Sequence, residues 1–362
     1  MILDGKRTKR LFFSLVLVVF LAVLTACSAG YVHHLAVNQL RISQNSIPIE
    51  EVLENKSLSA ESRRKLTLIL EAKQFGEEEL GLKKTKNYTT YVNIEKKYVG
   101  YIVSASSKYE LKSYQWRFPI AGTLLYKGFF DLNMAKKEKE KLEGMGLDTY
   151  LRPVAAYSTL GWFKDPVFSP MLKHDDAELI NIAIHELMHA TVYRKNHPKF
   201  NEGLATFVGN QGSLLFLKRK FGSNSREYQD AGDAVHDSRL FAEFLKTVHQ
   251  GLTDFYGRDI PDEEKLKGRE KIFSDSKQRL LNLKDKFKTD IYINFYGKAK
   301  LNNAFILSLS QYLIGLEDFI KAFELWNQDM KKTIAFFKSD AFKENDPAGY
   351  LKKWIEKKGS LK

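Results

Sequence analysis

His185-Glu186-Leu187-Met188-His189, followed at Asn201-Glu202-Gly203-Leu204-Ala205 by a lone carboxylate, is the group of residues in this chain best suited to chemistry. Residues four apart on an α-helix share a face, so His185 and His189 can offer two imidazole nitrogens to one ion while Glu186 stands at the rim of that face. Glu202 brings a carboxylate oxygen from a second element. Two nitrogens and one oxygen leave the fourth position of a tetrahedral zinc site open, the arrangement expected of a zinc hydrolase. One zinc ion held by His185, His189 and Glu202 would supply an acidified water, and Glu186 is placed to take its proton as general base. His197 lies eight residues past His189, but Asn196-His197-Pro198 reads as a turn, which leaves Glu202 as the better third ligand.

The surrounding sequence predicts how these groups are carried. Residues 177–196 read as the motif helix, with Ile180, Ile184, Leu187 and Met188 on its apolar positions. A turn at 197–200 would fold the chain back, and Asn201 would cap a second helix reaching about residue 220, with Glu202 in its first turn. Long amphipathic stretches follow at roughly 225–255, 262–287 and 300–340, and a last helix starts near Asp346-Pro347. Upstream, 28–85 reads as helical, with Pro48 in a first turn and Leu66, Leu68 and Leu70 along one stretch. Residues 88–94, 98–104, 114–130 (broken near Pro119 and Gly122) and 149–157 read as strands, with a charged helix over 133–145 ending at Gly146. The expected fold class is α+β: a small mixed sheet with one crossover helix, then a mostly helical, zincin-like catalytic half. The expected boundaries are 1–26, 27–87, 88–172 and 173–362.

The first of these segments reads as an export signal. Lys6, Arg7, Lys9 and Arg10 precede an apolar run from Leu11 to Leu24 that is too short and too abruptly ended to span a membrane comfortably. Leu24-Thr25-Ala26-Cys27 then resembles the lipobox of bacterial lipoproteins, which implies cleavage before Cys27 and acylation of that residue. Cys27 is the one cysteine of the chain, so no intramolecular disulfide can form and stability must come from packing. Two or more acyl chains give stable attachment, so the expected location is the cell envelope, at a bacterial membrane surface facing away from the cytoplasm. Removing the signal takes away Lys6, Arg7, Lys9, Arg10 and Asp4, and the formal charge falls from +13 to +10. The lysines are spread among glutamates and no Arg-rich reading motif is present, so nucleic acid is not an expected partner.

The metal motif and Phe200-Asn201-Glu202-Gly203-Leu204-Ala205 resemble the gluzincin clan of metallopeptidases, although the gap from His189 to Glu202 is shorter than in its large aminopeptidases and their Gly-Ala-Met-Glu-Asn strand is absent. The chain resembles more closely a bacterial family of predicted zinc aminopeptidases that are lipoproteins. The likeness runs through the lipobox with Gly30-Tyr31, the segments 116–122 and 155–163, the metal motif, Phe200-Asn201-Glu202 and Leu301-Asn302-Asn303-Ala304. It implies a zinc metallopeptidase acting on peptides.

Other residues complete the expectation. An acyl-transfer site needs a donor for the developing oxyanion, and Tyr157, Tyr193, Tyr296, Tyr312 and His236 are the candidates for that role or for substrate contact. Trp162 and Phe163 suit either a pocket wall or the core. An exopeptidase must also hold a free ammonium, for which Asp165 and Glu178 are candidates by proximity. Thr206 and Asn210, on later turns of the Glu202 helix, suit ligand orientation or plain helix packing. The favoured function is a zinc-dependent aminopeptidase at the cell envelope. The alternatives are a zinc endopeptidase or amidase and, from another class, a lipid-anchored scaffolding or binding protein with a structural or vestigial metal site.

Overall fold

Residues 100–106 and 148–154 set the main sheet. In the computed structural model, which describes residues 30–118, 122–156, 159, 164–339, 342 and 346–359, β3 (Gly100–Ser106) lies between β6 (Lys127–Phe129) and β7 (Asp148–Val154) and is antiparallel to both. Val103 and Ala105 are buried on one face of β3, and Ile102 is paired with Arg152. Because β6 and β7 flank β3 in the same direction, α4 (Leu132–Gly144) is the crossover between them. Asp131 caps that helix by accepting from the Met134 amide, and the chain leaves it through Gly146 at φ +80. The expected single sheet is instead three small ones. β1 (Ile47–Pro48), β2 (Thr90–Val92) and β8 (Val167–Phe168) form a mixed sheet, while β4 (Trp116–Phe118) and β5 (Gly122–Leu124) pair with each other. The predicted strand over 114–130 is thus three short strands, and the one over 149–157 is β7, ending at Val154. The signal segment, Cys27, Tyr157, Trp162 and Phe163 lie outside the described residues.

The chain divides into two compact units, Met1–Ser46 and Ile47–Lys362. The first contains α1, over residues 30–44, with Val32 and Leu40 exposed on it. Among the described residues no helix is long and apolar enough to cross a membrane.

Within the second unit α2 (Ile49–Glu54) and α3 (Ala60–Glu78) precede β2, and Pro48 stands just outside α2 rather than in its first turn. After β8, α5 (Asp176–Thr191) and α6 (Pro198–Phe221) form an antiparallel hairpin joined by 192–197, and α3 packs on α5. The next expected stretches prove more broken than their hydrophobic pattern suggests. α7 (Arg226–Tyr256) is continuous and α8 (Asp262–Leu281) stops early, but a separate α9 (Ile291–Lys298) follows. The predicted helix over 300–340 is three: α10 (Asn303–Leu313), α11 (Leu316–Leu325) and α12 (Met330–Lys338). The breaks fall where the backbone turns left-handed, at Gly315 and at Asn327-Gln328. α13 (Pro347–Gly359) closes the described chain.

α10 is the element that joins the sheet to the helices, since it packs on β3 and β7 on one side and on α6 and α7 on the other. Its start is bolted to the start of β7. Asn302 caps α10 by accepting from the Phe305 amide (2.8 Å) and donates to the Thr149 carbonyl (2.9 Å). The Asn303 amide donates to Asp148 (3.1 Å), while its fully buried side chain donates to the Ser107 carbonyl (3.0 Å) and accepts from the Tyr256 hydroxyl (3.0 Å). Asp148 in turn accepts from Arg269 at 2.7 Å, a buried ion pair. From this clamp the two elements advance together: nine helical residues to Tyr312 and four strand residues to Arg152 each cover about 13 Å. The two side chains meet there, with Arg152 Nη2 donating to the Tyr312 hydroxyl at 3.0 Å. Asn303→Ala removes the acceptor of the buried Tyr256 hydroxyl and a donor to the Ser107 carbonyl, and is expected to lower unfolding stability by about 2–3 kcal/mol. Urea denaturation followed by circular dichroism measures it; an unchanged midpoint would show that the clamp is dispensable.

Candidate metal centre

The α5–α6 hairpin holds the three expected donors together. Asp175 caps α5 by accepting from the Glu178 amide, and Leu179, Ile180, Ala183, Ile184, Leu187 and Met188 are buried along the helix, which fixes the azimuth of His185 and His189. The second helix begins earlier than the sequence suggests. α6 starts at Pro198 with His197 as its flanking residue, so Asn201 is not the cap and Glu202 stands in the second turn. Asn201 instead ties the hairpin shut, accepting from the Arg194 amide and donating to the Arg194 carbonyl, both at 2.8 Å. Asn181 on α5 donates to Asn210 on α6 at 2.7 Å, which makes Asn210 a link between the helices. Between these ties the helices approach closely over Gly209, where a Cβ would stand 2.8 Å from Asn181 Oδ1 and 3.3 Å from the His185 Cβ. A hairpin on the sheet side is seated on the same turn: the Thr123 amide donates to Asn196 Oδ1 (2.9 Å), and a Cβ on Gly122, at φ +76, would collide with that oxygen.

The result is a compact triangle. His185 Nε2 and His189 Nε2 are 3.1 Å apart, and Glu202 Oε2 is 3.6 Å from the first and 3.5 Å from the second. Ligand atoms placed tetrahedrally at 2.0–2.1 Å around a zinc-sized ion stand about 3.3 Å from one another, so the three edges fit such an ion. Buried polar atoms at the site agree with this. Glu202 Oε2 has no hydrogen-bond donor, and Glu186 Oε2 has no partner either. His185, His189 and Glu202 are, among the described residues, the group of donors able to hold a metal ion.

Electrostatics sharpen the picture. Burial opposes a charge on Glu202, but the two imidazoles outweigh it and hold the carboxyl well below the usual range. Burial likewise opposes a charge on His189, yet Glu202, and Glu186 behind it, push its pKa up. Around them stand phenols. Burial, with the Glu202 charge added, raises Tyr312, Tyr126 and Tyr193, the last to about 12. Burial, then the charges of Glu186 and Asp165, raises Tyr88 as well. All four therefore keep their protons at neutral pH. The Tyr312 ring lies 6.5 Å from that of His185, centroid to centroid.

Of the expected contacts, Tyr312 and Tyr193 stand by the triangle, and two residues do not. Tyr296 is fully buried among Phe241, Phe244 and Phe305, and its hydroxyl is committed to Ser276 at 2.8 Å. His236 lies beside Asp237, whose carboxylate anchors the backbone at Lys288 and Thr289. The two ammonium candidates have other work. Asp165 is buried and accepts from the Thr159 amide and hydroxyl, and Glu178 is an exposed partner of His174. Sequence reading overlooked Tyr126, Tyr88, Arg152 and Gly209, because single residues in strand, loop or helix carry no local motif.

A family model described as "Putative aminopeptidase" matches residues 30–345. The chain belongs to this family. No curated protein and no solved structure matches it.

The site predicts one bound divalent ion per chain in a calorimetric titration. Glu202→Ala should abolish binding, and Gly209→Val, which wedges the helices apart, should weaken it at least tenfold. Because His189 must give up a raised-pKa proton to ligate, affinity should fall as pH drops from 8 to 6, by up to about tenfold per unit once His189 is protonated. An affinity flat over that range would remove His189 from the ligand set.

Proposed function

We propose that this protein is a zinc-dependent peptidase, an aminopeptidase in its finer assignment, that hydrolyses short peptides at the cell envelope. The observation that carries the proposal is the His185–His189–Glu202 triangle with Glu186 beside it, in a chain of this family. Its two nitrogens and one oxygen suit zinc, and three ligands leave room for substrate and water. A zinc ion held there would supply Lewis acidity and an acidified water.

The chain's own residues do the rest. The charge of Glu186 raises the pKa of His189, Tyr88, Tyr126 and Tyr312, which sets the residue in their neighbourhood. With one oxygen unpartnered it is free to accept a proton from the attacking water as the new C–O bond forms, and to return that proton to the nitrogen as the C–N bond breaks. Tyr312 and Tyr126 remain protonated beside the ligands and serve as donors to the carbonyl oxygen as charge grows on it. The envelope location rests on the Leu24-Thr25-Ala26-Cys27 string and the apolar run before it.

Glu186→Gln should reduce hydrolysis of unblocked peptides by about a thousandfold or more while binding metal as tightly as the parent. Peptides with free and with acetylated amino ends, assayed after zinc loading, test the finer assignment. Turnover of blocked peptides alone would replace the aminopeptidase with an endopeptidase, and tight zinc with no hydrolysis of either would favour a structural metal.

A further inference from the structure

Beside the metal ligands the site holds a cation that the reaction does not require. Arg152 is half-buried on β7, and its Nη2 donates to the Tyr312 hydroxyl while its guanidinium carbon stands 5.6 Å from the Tyr312 ring centroid. Burial works against its charge; the Tyr312, Tyr150 and Tyr126 phenols around it are uncharged at neutral pH, which leaves Glu202 as the one negative charge acting to hold it. Among the described residues no carboxylate lies within ion-pair distance of it, in contrast to buried Arg269, which is paired with Asp148. A guanidinium drawn partly out of water without a carboxylate is costly to keep, and the planar fork of donors matches a carboxylate's two oxygens. With a divalent ion balanced by Glu186 and Glu202, Arg152 is the uncompensated charge on this wall of the site. That combination calls for an anion on the ligand.

The place of Arg152 beside Tyr312 favours a particular anion. Arg152 lies one aromatic ring beyond the metal ligands, because Tyr312 touches it on one side and faces His185 on the other. One extended residue carries a chain about 3.5 Å past the scissile carbonyl, and an ion pair reaches about 3 Å further. The α-carboxylate of the next residue is the first anion that a peptide backbone offers past the cleaved bond, and it is the group suited to a guanidinium on this wall.

We propose that Arg152, steadied by Tyr312, receives the free α-carboxylate of the residue that follows the cleaved bond, so that dipeptides with an unblocked C-terminus are the preferred substrates. This rests on the peptidase reading given above. It adds to that reading a substrate class and a residue that selects it.

The test compares leucyl-leucine, which has a free α-carboxylate, with leucyl-leucinamide and leucyl-glutaminamide, which have no carboxylate, and with leucyl-glutamic acid α-amide, which keeps a side-chain carboxylate alone. Zinc-loaded parent protein should show kcat/KM at least tenfold higher for leucyl-leucine than for leucyl-leucinamide, and Arg152→Gln should bring that ratio to within about twofold, chiefly through KM. Arg152→Lys, which retains charge but not the fork, should fall between, and it serves if the glutamine variant does not fold. Equal rates for acid and amide in the parent overturn the proposal, as does an Arg152→Gln ratio like the parent's, which would leave Arg152 only a support for Tyr312. Faster cleavage of the α-amide with the glutamate side chain than of leucyl-leucine would move the carboxylate to the side chain and overturn the terminal assignment. Calorimetric binding of the same peptides to zinc-loaded Glu186→Gln gives a readout without turnover. Tenfold tighter binding of leucyl-leucine than of its amide there, with no peptide hydrolysed by the parent, would sink the peptidase reading and leave the carboxylate site standing.

Discussion

The close approach of α5 and α6 is the constraint from which the site follows. One helix supplies a rigid pair of imidazoles, because residues four apart cannot drift relative to each other without unwinding a turn. The other must bring a carboxylate to within about one ion's width of both, and it does so only because Gly209 lets its backbone lie against Asn181 and His185. The Asn181–Asn210 and Asn201–Arg194 hydrogen bonds hold the hairpin at that separation from both ends. Three charged or polar groups are thereby kept in a largely apolar setting, where Glu202 and the two histidines satisfy one another's fields in part and leave oxygens without donors.

The site is also polarised across its width. Acceptors, Glu186 and Glu202, come from the hairpin, whereas donors, Tyr312, Tyr126 and the Arg152 guanidinium, come from α10, the turn between β5 and β6, and β7. Separate elements thus carry the two kinds of group, and their relative placement depends on α10. Its asparagine clamp on β7 and its packing against α6 make it the member through which sheet and helices are referenced to each other. Low dielectric around these groups keeps the phenols protonated and strengthens each donor's field within the site.

Much of this was legible in the sequence, for reasons that differ by element. The α+β class and the helical C-terminal half followed from hydrophobic periodicity, and His185, His189 and Glu202 followed from ligand chemistry on helices. The start of α6 was misplaced because Asn201 has the side chain of a cap, whereas Pro198 begins the helix and Asn201 uses both ends of its amide to close a loop. The stretch over 300–340 looked continuous because its apolar period persists across Gly315 and Asn327-Gln328, and only backbone conformation reveals the breaks. Arg152 and Tyr126 were invisible for a deeper reason. Their neighbourhood is assembled from strand, loop and helix far apart in the chain, and no local pattern encodes that meeting. Tyr296 illustrates the converse: a plausible donor by type is spent on Ser276 in the core.

The matched advance of α10 and β7 from their shared clamp behaves as a ruler with two unequal scales. A residue added to the strand between Asp148 and Arg152 would turn the guanidinium to the opposite face, and one added to the helix before Tyr312 would swing the phenol by about 100°. Surface loops elsewhere can lengthen or shorten at little expense. Evolution of this site by insertion and deletion is therefore confined to the chain outside those two short spans, while inside them only substitution can keep arginine and tyrosine face to face.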